Sequence, residues 1–128
     1  MYFFNKTQNE YFELLFPVTS GAEYISGLNT EDEIIETPQR PDCYHDWIDG
    51  AWLENTTAKT AAQTTEQRGE RDKLLTVVVD PIISNPLRWA DLTDAKRAEW
   101  TQYRTDLLNV PQQSGFPSTI NWPTKPTE

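Results

Sequence analysis

Residues 93–123 read TDAKRAEWTQYRTDLLNVPQQSGFPSTINWP, a helix signal followed by a proline-punctuated extended one. Trp100, Tyr103, Leu107 and Val110 recur every three or four residues, which lines them along one side of an α-helix. Lys96, Arg97, Glu99, Arg104 and Asp106 cover most of the other side. Thr93 is a good N-cap, its hydroxyl placed to accept a first-turn N–H. Asp94 follows where the positive end of the helix dipole favours a carboxylate. Pro111 lacks an N–H and closes the run, so the pattern predicts a helix over 94–109. Beyond it Pro117, Pro123 and Pro126 hold the chain extended, with Ile120 and Trp122 on one side and Thr119 and Asn121 on the other.

Upstream, residues 80–92 (DPIISNPLRWADL) are too apolar for a free linker, and Ile82, Leu87 and Trp89 are expected to pack. Asp80-Pro81 is expected to stop the element before it. That element reads as a helix from about residue 57 to 76, because Arg71, Leu74, Leu75 and Val78 recur at helical spacing. Its first half, TTAKTAAQTTEQ (56–67), has no wide apolar stripe and is expected to lie exposed or along a partner. Val77-Val-Val79 is equally compatible with a short strand.

The first half of the chain has the rhythm of short strands. In YHDWIDGAWLE (44–54), Asp49-Gly50 suits the two left-handed positions of a type I′ turn. With those two residues as the turn, Ile48 opposes Ala51 and Trp47 opposes Trp52. Residues 1–4 and 10–16 flank the turn cluster NKTQN (5–9), and Phe12, Leu14 and Phe16 alternate, which predicts a hairpin. Residues 21–29 read as a loop, and Ile34-Ile35 within EDEIIE (31–36) as a brief strand. Residues 37–42 (TPQRPD) must be extended, since each proline keeps its predecessor out of the helical region. The fold class is α+β. A small N-terminal β-hairpin region (1–55) precedes a helical hairpin with an extended, proline-rich C-terminal segment (56–128).

The chain has 128 residues, enough for one domain or two very small ones. Apolar residues are 37% and mean hydropathy is -0.69, so the interior is small. Fifteen rings (five each of Trp, Tyr and Phe) are its natural material, each removing roughly 150–250 Å² from water when buried. Net charge is -9 and pI about 4.5, which argues against nucleic acid and anionic membrane as partners. The charge is uneven: residues 1–64 hold 11 acids and 3 bases, residues 65–128 hold 9 acids and 8 bases. No run approaches the length of a membrane span, and the first residues lack a basic leader with a long apolar run. Folding in a cytoplasm is the expectation. One cysteine, Cys43, forms no internal disulfide, and with His45, the single histidine, it leaves a zinc site two ligands short. His45 therefore reads as a surface strand residue beside a turn. No nucleophile elbow, phosphate loop or His-Glu-x-x-His motif is present. Catalysis, metal and cofactor are not expected.

Several pieces then occur in a telling order. ERDKLL (70–75) is followed by NPLRWADLT (85–93), then by Trp100, Tyr103-Arg104 and Leu107-Leu108. VPQQSGFP (110–117), INWP (120–123) and Lys125-Pro126 complete the series. It resembles phage tail assembly chaperones, the group that includes tail fibre assembly proteins. PQRPD (38–42) to Trp52 looks like the extended segment and hairpin found upstream in such proteins. Where many relatives place an aspartate-tryptophan pair soon after the double leucine, this chain has VVVDPI (77–82) and a tryptophan only at Trp89.

The resemblance implies a non-enzymatic protein that binds a tail fibre or other tail protein and promotes its folding and trimerisation, in the host cytoplasm. Some members stay on the finished fibre tip. It also implies an interface, for which the residues in the matching stretch are Arg97, Trp100, Tyr103, Arg104, Pro111, Gln112, Phe116, Ile120 and Trp122. Phe116, Ile120 and Trp122 have a second reading, as rings and aliphatics folded back onto Trp100 and Tyr103. An oligomer matching a trimeric fibre is a further expectation. The competing function is a permanent virion component of the tail: fibre tip, collar or baseplate. A host-surface-binding module or hydrolase is the third.

Overall fold

The computed structural model describes residues 1–14, 20–28 and 31–127. They form two compact units, Met1–Thr56 and Thr57–Glu128. The class is α+β, strands first and helices after.

The N-terminal unit is built on a three-stranded antiparallel sheet of β1 (Tyr2–Asn5), β2 (Glu10–Glu13) and β3 (Ile34–Thr37), in the order β2-β1-β3. Register pairs Phe3 with Phe12 and Phe4 with Tyr11. Alternation sends these two pairs to opposite faces. On one face Phe3, fully buried, meets Phe12 at 5.6 Å and Tyr24 at 5.0 Å between ring centroids. Tyr24 lies on α1 (Gly21–Gly27), so the stretch expected to be a loop begins with a helix. Its residues have poor helix propensity, and packing on Phe3 overrides it. A Cβ on Gly21 would stand 2.5 Å from the Glu36 carboxyl carbon, so a larger residue there would make the Glu36 side chain swing aside. Leu15 and Phe16 of the expected strand lie outside the described residues.

The other face of the sheet meets the second hairpin, β4 (His45–Ile48) and β5 (Ala51–Glu54). Its register is the one the Asp49-Gly50 turn dictates, with Trp47 opposite Trp52 and Ile48 opposite Ala51. Both turn residues have positive φ, 49° and 86°. The paired indoles sit 5.0 Å apart at 69°, an edge-on geometry that contributes about 0.5–1.5 kcal/mol beyond burial. Trp52 also meets Tyr11 at 5.3 Å and Phe4 at 6.4 Å, and donates its Nε1–H to Pro38 O at 2.9 Å. Arg40 ties in the extended segment. Its guanidinium donates to His45 O at 2.7 Å and Cys43 O at 2.9 Å, and lies over the Tyr11 and Trp52 rings.

The second unit begins as α2 (Thr56–Leu74), 19 residues with none buried. It continues without a break through a π-helical turn, Leu75–Val79, into α3 (Asp80–Ile83). Asp80-Pro81 therefore does not stop the helix, and the valines are neither a strand nor an ending. The cause is the wider turn: the Asp80 N–H reaches back five residues to Leu75 O. That widening relieves the clash a proline ring makes with the carbonyl four residues before it. It also re-phases the helix so that Val79 and Ile82, three residues apart, both point inward and are buried.

Ser84 ends the rod, and Asn85 caps α4 (Pro86–Asp91) by accepting the Arg88 N–H at 3.1 Å. The apolar, two-proline connection is thus largely helical. Trp89 packs on the core, but Leu87 is 80% exposed, because α4 presents it to solvent. α5 runs Asp94–Asn109 with Thr93 as its cap, accepting from Lys96 N at 3.2 Å. Trp100, Tyr103 and Leu107 from α5 join Val79 and Ile82 in one buried cluster. A 3₁₀ turn, Val110–Gln112, follows, and residues 113–127 run on through turns into an extended tail.

Candidate partner-binding surface

The surface of interest is the exposed side of α5 and the tail that runs beside it. Its foundation is the corner between α4 and α5. Arg97 donates through Nε to Trp89 O at 2.9 Å and through NH2 to Ala90 O at 2.8 Å, while NH1 reaches Asp94 Oδ1 at 3.1 Å. A guanidinium at a helix C-terminus satisfies carbonyls that have no intrahelical donor and opposes the negative dipole end. In this chain Arg97 is a clamp on the fold before it is anything else.

Trp100 and Tyr103 are likewise interior residues. Trp100 is fully buried, and its ring meets Tyr103 at 6.0 Å and 83°. Among the described residues, the buried Trp100 Nε1 and Thr37 Oγ1 have no hydrogen-bond partner. Burial raises the Tyr103 hydroxyl pKa above its ordinary value by disfavouring the phenolate. Arg104, next along α5, is exposed.

The tail is placed by a residue that the spacing rules did not single out. Gln113 donates Nε2–H to Asn121 O at 2.9 Å and accepts the Asn121 N–H at Oε1 at 2.8 Å. One side-chain amide thus pairs with a backbone as a neighbouring strand would. The intervening turn is tight. Thr119 N–H donates to Gly115 O at 2.7 Å, and a Cβ on Gly115 would come within 2.5 Å of Thr119 O. The Phe116-Pro117 peptide is cis. At the far end Lys96 Nζ donates to Thr127 Oγ1 at 3.0 Å and pairs with Glu99 at 2.9 Å.

Between α5 and the tail lie two shallow clefts. One, of about 430 Å³, is lined by Tyr103, Asp106, Pro123 and Pro126, among others. The other, of about 400 Å³, is lined by Asp106, Asn109, Gln113 and Trp122, among others. The structure therefore brings Tyr103 and Trp122 to the same tail, on either side of Asp106. Trp122 is 39% exposed and Leu108 42%. Phe116, Ile120 and Pro111 are half-buried and Gln112 is exposed. Leu87 and Val77 add exposed aliphatic area in the same unit. This arrangement supplies flat rings, prolines and amides on a fixed backbone, which suits contact with another polypeptide.

In the other unit His45 is half-buried on β4 and bonds through Nδ1 to Asp42 at 2.7 Å, and Cys43 is exposed. Among the described residues no group of three or more His, Cys, Asp or Glu could hold a metal ion. No helix among them is long and apolar enough to cross a membrane.

Residues 64–127, half of the chain, match the model of a family described as phage tail assembly chaperone protein. No curated protein and no solved structure matches it.

Proposed function

This chain belongs to the phage tail assembly chaperone family, and on that footing we propose that it is a non-enzymatic chaperone that binds a tail fibre protein and promotes its folding and trimerisation. The observation that carries the reading is where the family match falls. Residues 64–127 take in most of α2 and all of α5 and the docked tail, the same stretch that carries the exposed Trp122 and the prolines of the tail. A fibre is long, trimeric and rich in non-local pairing, so its chains expose strand edges and apolar surface while they assemble. A small acidic protein that covers such surfaces keeps them soluble. Trp122, Phe116, Ile120, Pro111, Gln112 and Arg104 are the contacts proposed for that role. Trp100, Tyr103 and Arg97 are proposed to serve it indirectly, by holding α5 and its corner in place. The work takes place in the host cytoplasm during assembly.

The test is co-expression with a tail fibre protein from the same genome. The fibre is expected to be soluble and trimeric only when the chain is present; a fibre that is soluble and trimeric alone contradicts the reading. Protein gels of purified particles separate the permanent virion component from the chaperone: stoichiometric presence indicates the former, absence the latter.

A further inference from the structure

We infer that the groove beside Trp47 in the N-terminal unit docks an extended, lysine- or arginine-bearing segment of a partner polypeptide. The unit lies outside the matched family region, and the inference does not depend on which tail protein the other unit binds.

The groove is formed by two clefts, of about 320 and 480 Å³, that share Phe4, Asn9 and Trp47 as a common wall. Trp47 is a fixed wall. Its partner Trp52 is itself held by Pro38 O, Phe4 and Tyr11. Asp46 lines the first cleft and Asp49 the second; alternation along β4 sends the Asp46 side chain to the face opposite Trp47, where it accepts from Asn55 at 2.9 Å, so Asp49 is the acidic residue lining a cleft with the indole. A flat tryptophan ring is the best aromatic acceptor for a cation, and Asp49, with the negative charge of the unit, adds the field that a desolvated ammonium or guanidinium requires.

Charge selects the guest further. Met1–Thr56 holds 11 acidic residues and two basic ones, Lys6 and Arg40, a net of 2 − 11 = -9; Thr57–Glu128 holds 9 of each and is neutral. The whole formal charge of the chain therefore sits in the unit that carries the groove. Of its two cations, Lys6, which lines the second cleft, pairs with Glu33. Arg40, which lines the first, is committed to two carbonyls and two rings. Arg40 also shows what this environment holds: a guanidinium over the Tyr11 and Trp52 faces. Anionic guests meet an adverse field. Two adjoining clefts that share the Trp47 wall suit an extended chain passing over it, with a basic side chain directed at its ring.

The experiment uses the full chain and a short synthetic peptide of alternating lysine and threonine, with binding followed by tryptophan fluorescence and calorimetry. Matching peptides with glutamine or glutamate in place of lysine serve as comparators. The lysine peptide is expected to bind, to weaken by about tenfold or more as salt rises to about 0.5 M, and to be preferred over both comparators. Asp49→Asn preserves the turn, since Asn-Gly is equally suited to it, and is expected to weaken binding about threefold or more. Glu13→Gln removes the same charge at the far end of the sheet and is expected to leave binding within about twofold. Trp47→Leu is expected to abolish the fluorescence change. The inference is overturned if glutamine and lysine peptides bind alike. It is equally overturned if Glu13→Gln costs as much as Asp49→Asn, which would reveal only a diffuse charge effect, or if none of the three peptides binds.

Discussion

Replacing Gln113 by alanine removes the two hydrogen bonds that hold the tail at Asn121, at 2.9 and 2.8 Å, and nothing in the buried cluster. A neutral hydrogen bond contributes about 0.5–1.5 kcal/mol net. Both of these are exposed, which places each at the low end, so together they hold the tail by about 1 kcal/mol. Their loss raises the open population of the tail about fivefold, since 1.4 kcal/mol is tenfold. Amide hydrogen exchange reads this directly: the Asn121 N–H, whose acceptor is the Gln113 side chain, is expected to exchange about fivefold faster. Thermal unfolding should change little, because Leu107, Trp100 and Val79 keep their packing. Gln112→Ala, one residue away and exposed, is the control and should leave Asn121 unchanged. If Asn121 exchanges at the same rate in Gln113→Ala as in the parent, the tail is held by something other than this clamp.

Leu107→Ala empties a fully buried position in the cluster and should destabilise the second unit by about 2–5 kcal/mol, measured by denaturant unfolding; a cost below about 1 kcal/mol would remove Leu107 from the core. Gly50→Ala forces a Cβ onto a residue at φ 86° and should cost about 1–2 kcal/mol, with faster amide exchange in β4 and β5; unchanged exchange would refute the left-handed turn. Tyr103 has a raised pKa in the folded chain, so the unfolded chain loses its proton first as pH rises. Its stabilising contribution is fully present below the ordinary value of 10.0 and is lost as pH climbs through the raised one. Tyr103→Phe should therefore flatten the alkaline fall in stability, and an unchanged profile would contradict the assignment.

The parts legible in the sequence were those fixed by local chemistry. Asp49-Gly50 sets a two-residue turn, and the turn sets the register that brings Trp47 opposite Trp52. Thr93, the spacing of Trp100, Tyr103 and Leu107, and Pro111 fix α5 and its ends. The parts that were not legible depend on distant partners or on competition between local rules. α1 is a weak helix sequence that exists because Tyr24 has Phe3 to pack against. Three valines and a proline each argue against a helix, yet one widened turn accommodates all four and carries the rod to Ile83. Leu87 is apolar but lands on the solvent side of a six-residue helix.

For the candidate surface, residue type identified the rings but not their direction. Trp100 and Tyr103 differ from Trp122 in burial, and that difference comes from where α5 meets Val79 and Ile82. Gln113 gave no signal, because pairing a side-chain amide with a backbone eight residues away follows no periodicity.

The proposed purpose of the second unit, holding another polypeptide against α5 and the tail, is tested most directly by amide hydrogen exchange on the chain alone and on its complex with a tail fibre protein. New protection across residues 111–127, with the α5 core amides unchanged, is the expected result. A complex that forms while this segment exchanges as fast as in the free chain would contradict it.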